Sequence, residues 1–404
     1  MVTPLVYIDN AASTRPAAEV EAAMTDASRR CFANPSSAHA AGAEAARALE
    51  ESRATLLAAI GSEGGQLVFT SGGTEANALA VLGAGRLARG RHGVVTAIEH
   101  PAVLRNAAVL EAERGFELSF VAPSLESGRV SVEAVLAAIR RDTAFVAVML
   151  VNNELGTVQP VVEIARAIAA FAAREGIRRP HLHVDAVQAL GMLSLRATTL
   201  VADSVALSAH KLHGPKGAGA LWLRPGARLL PLWDGGRQER GLRSGTENLP
   251  AIIGFACAAT LATRALKAGE ADAVGRRRDA LETRVRDAIP GARPTVAPGS
   301  RAAHICSMAF PRLPAEPLLH ALEARGVLVS AGSACASKSG GPSHVLKAVG
   351  VEDETAVLRF SLSRYTTDAE VDLAVAATVE AVAEIAAARP QERPRRLAPP
   401  PGTG

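Results

Sequence analysis

At 404 residues, the chain is long enough for a large core divided between two unequal units, and its 48% hydrophobic but 3% aromatic composition leaves Ala, Val and Leu to fill it. The net charge is +4 with acids and bases mixed throughout, which excludes the concentrated basic field of a nucleic-acid binder. Four scattered cysteines (Cys31, Cys257, Cys306, Cys335) without a CxxC pair exclude a disulfide framework and a zinc ribbon, and they fit a reducing cytoplasm. The N-terminus lacks the pattern of a secretory signal, and no apolar run approaches the length of a membrane span.

A short apolar piece at 5–8 comes first, followed by helices over 16–30 and up to 60 that flank the polar stretch 34–39. Strands and helices then alternate: strands at 66–70, 94–98, 118–121, 144–151 and 181–184, with helices between them, then the strand leading to Lys211 and another at 220–223. Near-continuous apolar strands in a βαβ pattern predict a mostly parallel sheet covered on both faces. An Ala-rich helical stretch over 249–289 and a break at 290–300 follow. Strands at 304–310, 327–330 and 357–363 with helices at 314–325, 343–349 and 368–388 predict a smaller α+β unit. The expected organisation is an N-terminal segment 1–14 that joins the small unit, a large domain 15–260, a small domain 261–388 and a disordered Pro- and Arg-rich tail 389–404.

The large unit's strands end in polar residues, and open α/β sheets place their chemistry at those ends. Ser71-Gly72-Gly73-Thr74-Glu75 opens a helix whose free N–H groups suit a phosphate. His100, Asn153 and Asp185 each end a strand, and Lys211 ends the run Ser204-Val205-Ala206-Leu207. Only five of the 44 Lys and Arg residues are lysine. Where Arg serves as the general cation, a retained amine points to chemistry that Arg cannot do, because only the amine gives up its proton and forms a Schiff base. Singly, each residue reads as an ordinary cap, turn former or surface group. Together they make a phosphate cradle, a carboxylate, an imidazole and an amine, the set that a pyridoxal 5'-phosphate site requires. Cys335 stands in a run of small polar residues, where a thiol is accessible and reactive.

The motifs resemble one family along most of the chain: Tyr7-Ile8-Asp9-Asn10-Ala11-Ala12, Asn34-Pro35-Ser36-Ser37, Thr70-Ser71-Gly72-Gly73-Thr74-Glu75, Glu99-His100, Asn152-Asn153-Glu154, His183-Val184-Asp185-Ala186-Val187-Gln188, Ser208-Ala209-His210-Lys211, Arg243-Ser244-Gly245-Thr246, Gly332-Ser333-Ala334-Cys335 and Arg359-Phe360-Ser361-Leu362-Ser363-Arg364. In this order they resemble the NifS/IscS-like cysteine desulfurases of the class V aminotransferase group. The resemblance implies an aspartate-aminotransferase-like (fold type I) α/β enzyme dependent on pyridoxal phosphate, acting on L-cysteine as a cytoplasmic homodimer. Lys211 is then the Schiff-base lysine, Asp185 the partner of the ring nitrogen, Gln188 the partner of the ring oxygen and His100 the ring-stacking group. Gly73, Thr74, Ser208 and His210 hold the phosphate, with Thr246 supplied by the neighbouring subunit. Asn34, Asn153 and Arg364 bind substrate, with Asn153 and Arg364 orienting its carboxylate. Cys335 accepts the sulfur as a persulfide and serves as a transient iron–sulfur ligand with a scaffold partner. The length of 332–342 matches the type that delivers sulfur directly, to an iron–sulfur scaffold or a tRNA-thiolation carrier.

The chain departs from the family at Ser13, at His213, after Cys335 and in the tail, and the last two departures leave the acceptor open. A selenocysteine lyase or a class V aminotransferase is the alternative enzyme, although a transaminase needs no thiol. A non-catalytic sulfur carrier is a third reading, against which the set Lys211, Asp185 and His100 stands. Neither nucleic acid nor membrane is expected as a direct partner.

Overall fold

A computed structural model describes residues 5–62, 64–332 and 343–388. Seven strands form the central sheet in the spatial order Gln66–Thr70, Gly219–Leu223, Ser204–Ser208, His181–Asp185, Thr143–Met149, His92–Thr96, Glu117–Val121. Only Gly219–Leu223 runs antiparallel to its neighbours. The strands read as unbroken apolar runs because both faces are covered. Val146, Val148, Val205 and Leu207 point into one core cluster, and the alternate residues Phe145, Ala147 and Ala206 point into another.

The helix Leu249–Lys267 packs on Ala18–Arg30 and Ala40–Ala59 through Ile252, Phe255 and Ala259. It corrects the expectation that no apolar run reaches membrane-span length: its 19 residues are long and apolar enough to do so. The fold instead uses that apolarity to bury Phe255, Ala258 and Ala259 completely. The expected single helical stretch over 249–289 is also broken. Gly269 takes the left-handed conformation (φ 77°), which favours glycine, and starts a second helix, Glu270–Ala288. The switch from the first core to the second falls at this turn, between Ala262 and Val274. Position 260, the expected boundary, lies inside the continuous first helix.

The second core lies over a three-stranded antiparallel sheet, Thr355–Ser361, Ile305–Pro311 and Arg293–Pro294. Met308, Phe310, Leu358 and Phe360 pack there against Leu281, Leu318 and Val371 from three helices. Val6–Tyr7 pairs in parallel with Val327–Leu328, and Val6 and Ile8 join this core. A few residues on, Ala11 joins the first core and Thr14 N donates to His210 O, so this segment ties the two cores together. Cys335 and the stretch 389–404 lie outside the described residues.

Candidate active site

A cavity of about 300 Å³ opens at the C-terminal ends of the parallel strands. Strand Ser204–Ser208 delivers Lys211 to it through one 3₁₀ turn, Ala209–Lys211. Lys211 Nζ donates to the carbonyls of Ala11 (2.6 Å) and Ala12 (2.8 Å), so the N-terminal segment holds the amine. On the opposite wall the helix Gly73–Leu87 presents its N-terminus, with Gly73 and Thr74 lining the cavity. A Cβ on Gly73 would stand 2.7 Å from Val187 Cγ2 and would fill the cradle. Ser208 Oγ is buried without a hydrogen-bond partner among the described residues. A helix N-terminus, a glycine that keeps the space clear and an orphaned hydroxyl suit a phosphate group. His100, Asp185, Asn153 and Gln188 line the rest of the cavity.

Asp185 is fixed on both oxygens. Its Oδ1 accepts from Val187 N (3.0 Å) and its Oδ2 from Asn77 Nδ2 (2.7 Å). The Asn77 amide is thereby oriented, so its Oδ1 accepts from His183 Nε2–H at 2.9 Å. His183 Nδ1 then accepts from the Ser204 hydroxyl (2.9 Å), which itself accepts from His181 Nε2–H (2.8 Å). Burial, chiefly, pushes His183 down to about 3 and His181 to about 4, which keeps both imidazoles neutral. One directed chain of hydrogen bonds therefore runs along strand His181–Asp185 and ends on the carboxylate.

His100 caps the helix Pro101–Arg114, its Nδ1 accepting from Ala102 N at 3.1 Å. That bond places the proton of the neutral ring on Nε2. Burial lowers its pKa, so neutral imidazole prevails. Glu99 behind it is wholly buried, and burial raises its carboxyl to about 8. Its Oε1 accepts from Thr96 Oγ1 and Met149 N, both at 2.6 Å, while Oε2 has no partner among the described residues. His210 lines the cavity, is pushed down to about 4 mainly by burial, and contacts Ser13 Oγ at 3.2 Å. Gln188 donates to the Ala11 carbonyl (2.8 Å) and meets His304 Nε2 at 3.3 Å.

Nine of the expected residues line this one cavity: Gly73, Thr74, His100, Asn153, Asp185, Gln188, Ser208, His210 and Lys211. Three lie elsewhere. Asn34 is exposed in a turn, accepting from Ser36 N (2.9 Å). Thr246 is exposed. Arg364 lies over the Tyr365 ring (4.8 Å) and lines a neighbouring cleft with His213. Among the described residues no group of three or more His, Cys, Asp or Glu side chains could hold a metal. Two polar lining residues were not among the expected site residues. Asn77 stands one turn inside a helix, and Arg359 stands mid-strand, donating to Asn153 O and Asp9 Oδ1, both at 2.8 Å. A lone arginine in an apolar strand, which needs a buried partner, was the available signal for the second.

The profile described as Aminotransferase class-V matches residues 6–374. The chain belongs to this family. A cysteine desulfurase of Rhodobacter capsulatus is 40% identical over 389 residues, covering 95% of this chain and 98% of that protein. A solved structure titled NifS-like protein superposes with a TM-score of 0.85 at 32% identity, covering 94% of this chain and all of that one. A second, titled SspA in complex with cysteine, gives 0.75 at 32% identity over 89% of this chain and 99% of that one. Such full-length likeness makes the protein an enzyme of fold type I, in a family that depends on pyridoxal phosphate.

Proposed function

We propose that the protein is a pyridoxal phosphate-dependent cysteine desulfurase that converts L-cysteine to L-alanine and passes the sulfur to Cys335 as a persulfide. The observation that carries this reading is the convergence of Lys211, Asp185, His100 and the Gly73–Thr74–Ser208 cradle on one cavity, in a chain whose full-length relatives are cysteine desulfurases. The bound cysteine of one structural neighbour supports the substrate.

In this reading Lys211 holds the cofactor covalently, the cradle binds its phosphate and Asp185 pairs with its ring nitrogen. When bound, the cofactor supplies an electron sink for charge at the substrate Cα. The Lys211 amine would move the Cα proton, and its Ala11 and Ala12 carbonyl contacts define where that amine rests. Asp185 is held in orientation by two N–H donors, one on each carboxylate oxygen. His100, neutral, covers the ring face and offers its Nε2 proton. Asn153, its backbone anchored by Arg359, orients the substrate carboxylate together with Arg364. The Cys335 thiolate attacks the substrate sulfur. The S–S bond forms as the C–S bond breaks, its electron pair stays on carbon, and a proton completes alanine.

Asn34 adds to substrate binding, and Thr246 reaches the cradle of a second copy in a homodimer. The persulfide goes onward to an acceptor protein of iron–sulfur assembly or tRNA thiolation, with Cys335 a transient cluster ligand. The free thiols Cys31, Cys257 and Cys306 fit a cytoplasmic protein.

Purified protein given L-cysteine should form alanine and Cys335 persulfide one for one, read by amino-acid analysis and mass spectrometry. Cys335→Ala should abolish the persulfide. Turnover of Cys335→Ala equal to wild type under reductant would sink the desulfurase mechanism in favour of a lyase. Pyruvate as the main product would point to transamination.

A further inference from the structure

The N-terminal ends of the same parallel strands border a second cavity, of about 900 Å³, on the far side of the sheet from Lys211. Six arginines line it: Arg89, Arg141, Arg178, Arg179, Arg224 and Arg228. The acids in the lining are Asp142 and Asp203, so the cavity carries a net +4, equal to the charge of the entire chain.

The arrangement is anchored. Asp203, 5% exposed, accepts from Arg179 Nη2 and from Arg224 Nη2 (2.5 Å), and it takes the Leu182 N–H (2.8 Å) besides. One buried carboxylate thus holds two guanidiniums in position while neutralising a single charge. Arg89, Arg141, Arg178 and Arg228 are exposed and make no ion pair or side-chain hydrogen bond among the described residues. Burial keeps His181 at the cavity wall neutral.

The guanidinium fork matches phosphate oxygens and only donates. A cavity of this size exceeds a single phosphate, and arginines from several separate loops are more than one phosphate can engage. The lining has no Phe, Tyr or Trp ring on which a base would stack. An acidic peptide would bring backbone N–H groups that need acceptors, and donors dominate this lining. We propose that this cleft binds an anion of linked phosphates, of the polyphosphate class, recognised through its phosphates alone.

The inference stands apart from the reaction at Lys211, and its test leaves that site filled. Protein purified with its cofactor is titrated with tripolyphosphate by calorimetry. One saturable site is expected, weakening as salt is raised because the contact is ionic. The double variant Arg141→Ala/Arg178→Ala, which removes two exposed side chains without disturbing a described bond, should bind about tenfold or more weaker, having lost two charge-assisted contacts. Arg286→Ala, which removes a surface arginine outside the lining, should bind as wild type does. Absence of saturable binding, or equal affinity in the double variant, would overturn the site. Orthophosphate binding as tightly as tripolyphosphate would overturn the linked-phosphate assignment, and so would equal affinity for an oligoglutamate of the same charge.

Discussion

At its C-terminal end the strand His181–Asp185 delivers a carboxylate into a cavity of neutral donors, one amine and one guanidinium. At its N-terminal end it delivers a neutral imidazole into a ring of arginines. The first end is organised by direction. Asp185, His100 and Lys211 each have named partners that set where a proton or lone pair points. The second is organised by quantity, with six guanidiniums and one buried carboxylate that fastens two of them. Directional chemistry fails when one atom is lost, whereas a charged cleft weakens by increments.

The largest effect should come from Lys211→Ala. Loss of the proton-moving amine should lower alanine formation by roughly 10³-fold or more, within the range that proton-transfer groups supply. Turnover within tenfold of wild type would show that the C-terminal end is not organised around this amine. Asn77→Ala comes next. It leaves Asp185 Oδ2 and His183 Nε2 each without a partner in the interior, at a cost of about 1–3 kcal/mol for an unsatisfied buried group, read as a lowered midpoint in denaturant. Nitrogen NMR should also show the His183 tautomer no longer locked, a signature that mere loss of packing would not produce.

Glu99 acts through pH dependence. Its folded pKa, about 8, lies above the ordinary 4.5, so the native state binds more protons than the unfolded state between those values. Stability is full below 4.5 and falls as pH rises toward 8, and Glu99→Gln should flatten that slope in thermal melts. A wild-type slope retained in the variant would assign it to another group. The smallest effect belongs to the arginine end. Arg224 is 43% exposed, and Asp203 keeps Arg179 and the Leu182 N–H without it. Arg224→Ala should therefore cost less than about 1 kcal/mol. A loss as large as that of Asn77→Ala would erase the distinction between the two ends.

Much of the C-terminal end was legible in the sequence. Apolar five-residue runs mark buried parallel strands, and the polar residue after each run has to emerge where the sheet ends. That reasoning found Asp185, Lys211 and His100 without coordinates. It missed Asn77, whose helix already presents Gly73 and Thr74 as the visible signal, and Arg359, whose partners Asp9 and Asn153 are hundreds of positions away in the chain. It also read the helix Leu249–Lys267 as one long stretch to 289, because a single glycine among helix formers does not announce a left-handed turn.

Local composition settled the strands, the helix starts and the residue types that chemistry requires, since backbone pattern and side-chain identity act over a few residues. The arginine cleft could not be seen that way. Its members are spread from Arg89 to Arg228, in a chain that reads as evenly mixed in charge. They meet because the parallel strands all start, and the antiparallel strand Gly219–Leu223 ends, at one end of the sheet, so loops distant in sequence are stacked side by side. Charges screened from one another along the chain become neighbours when strand order is set.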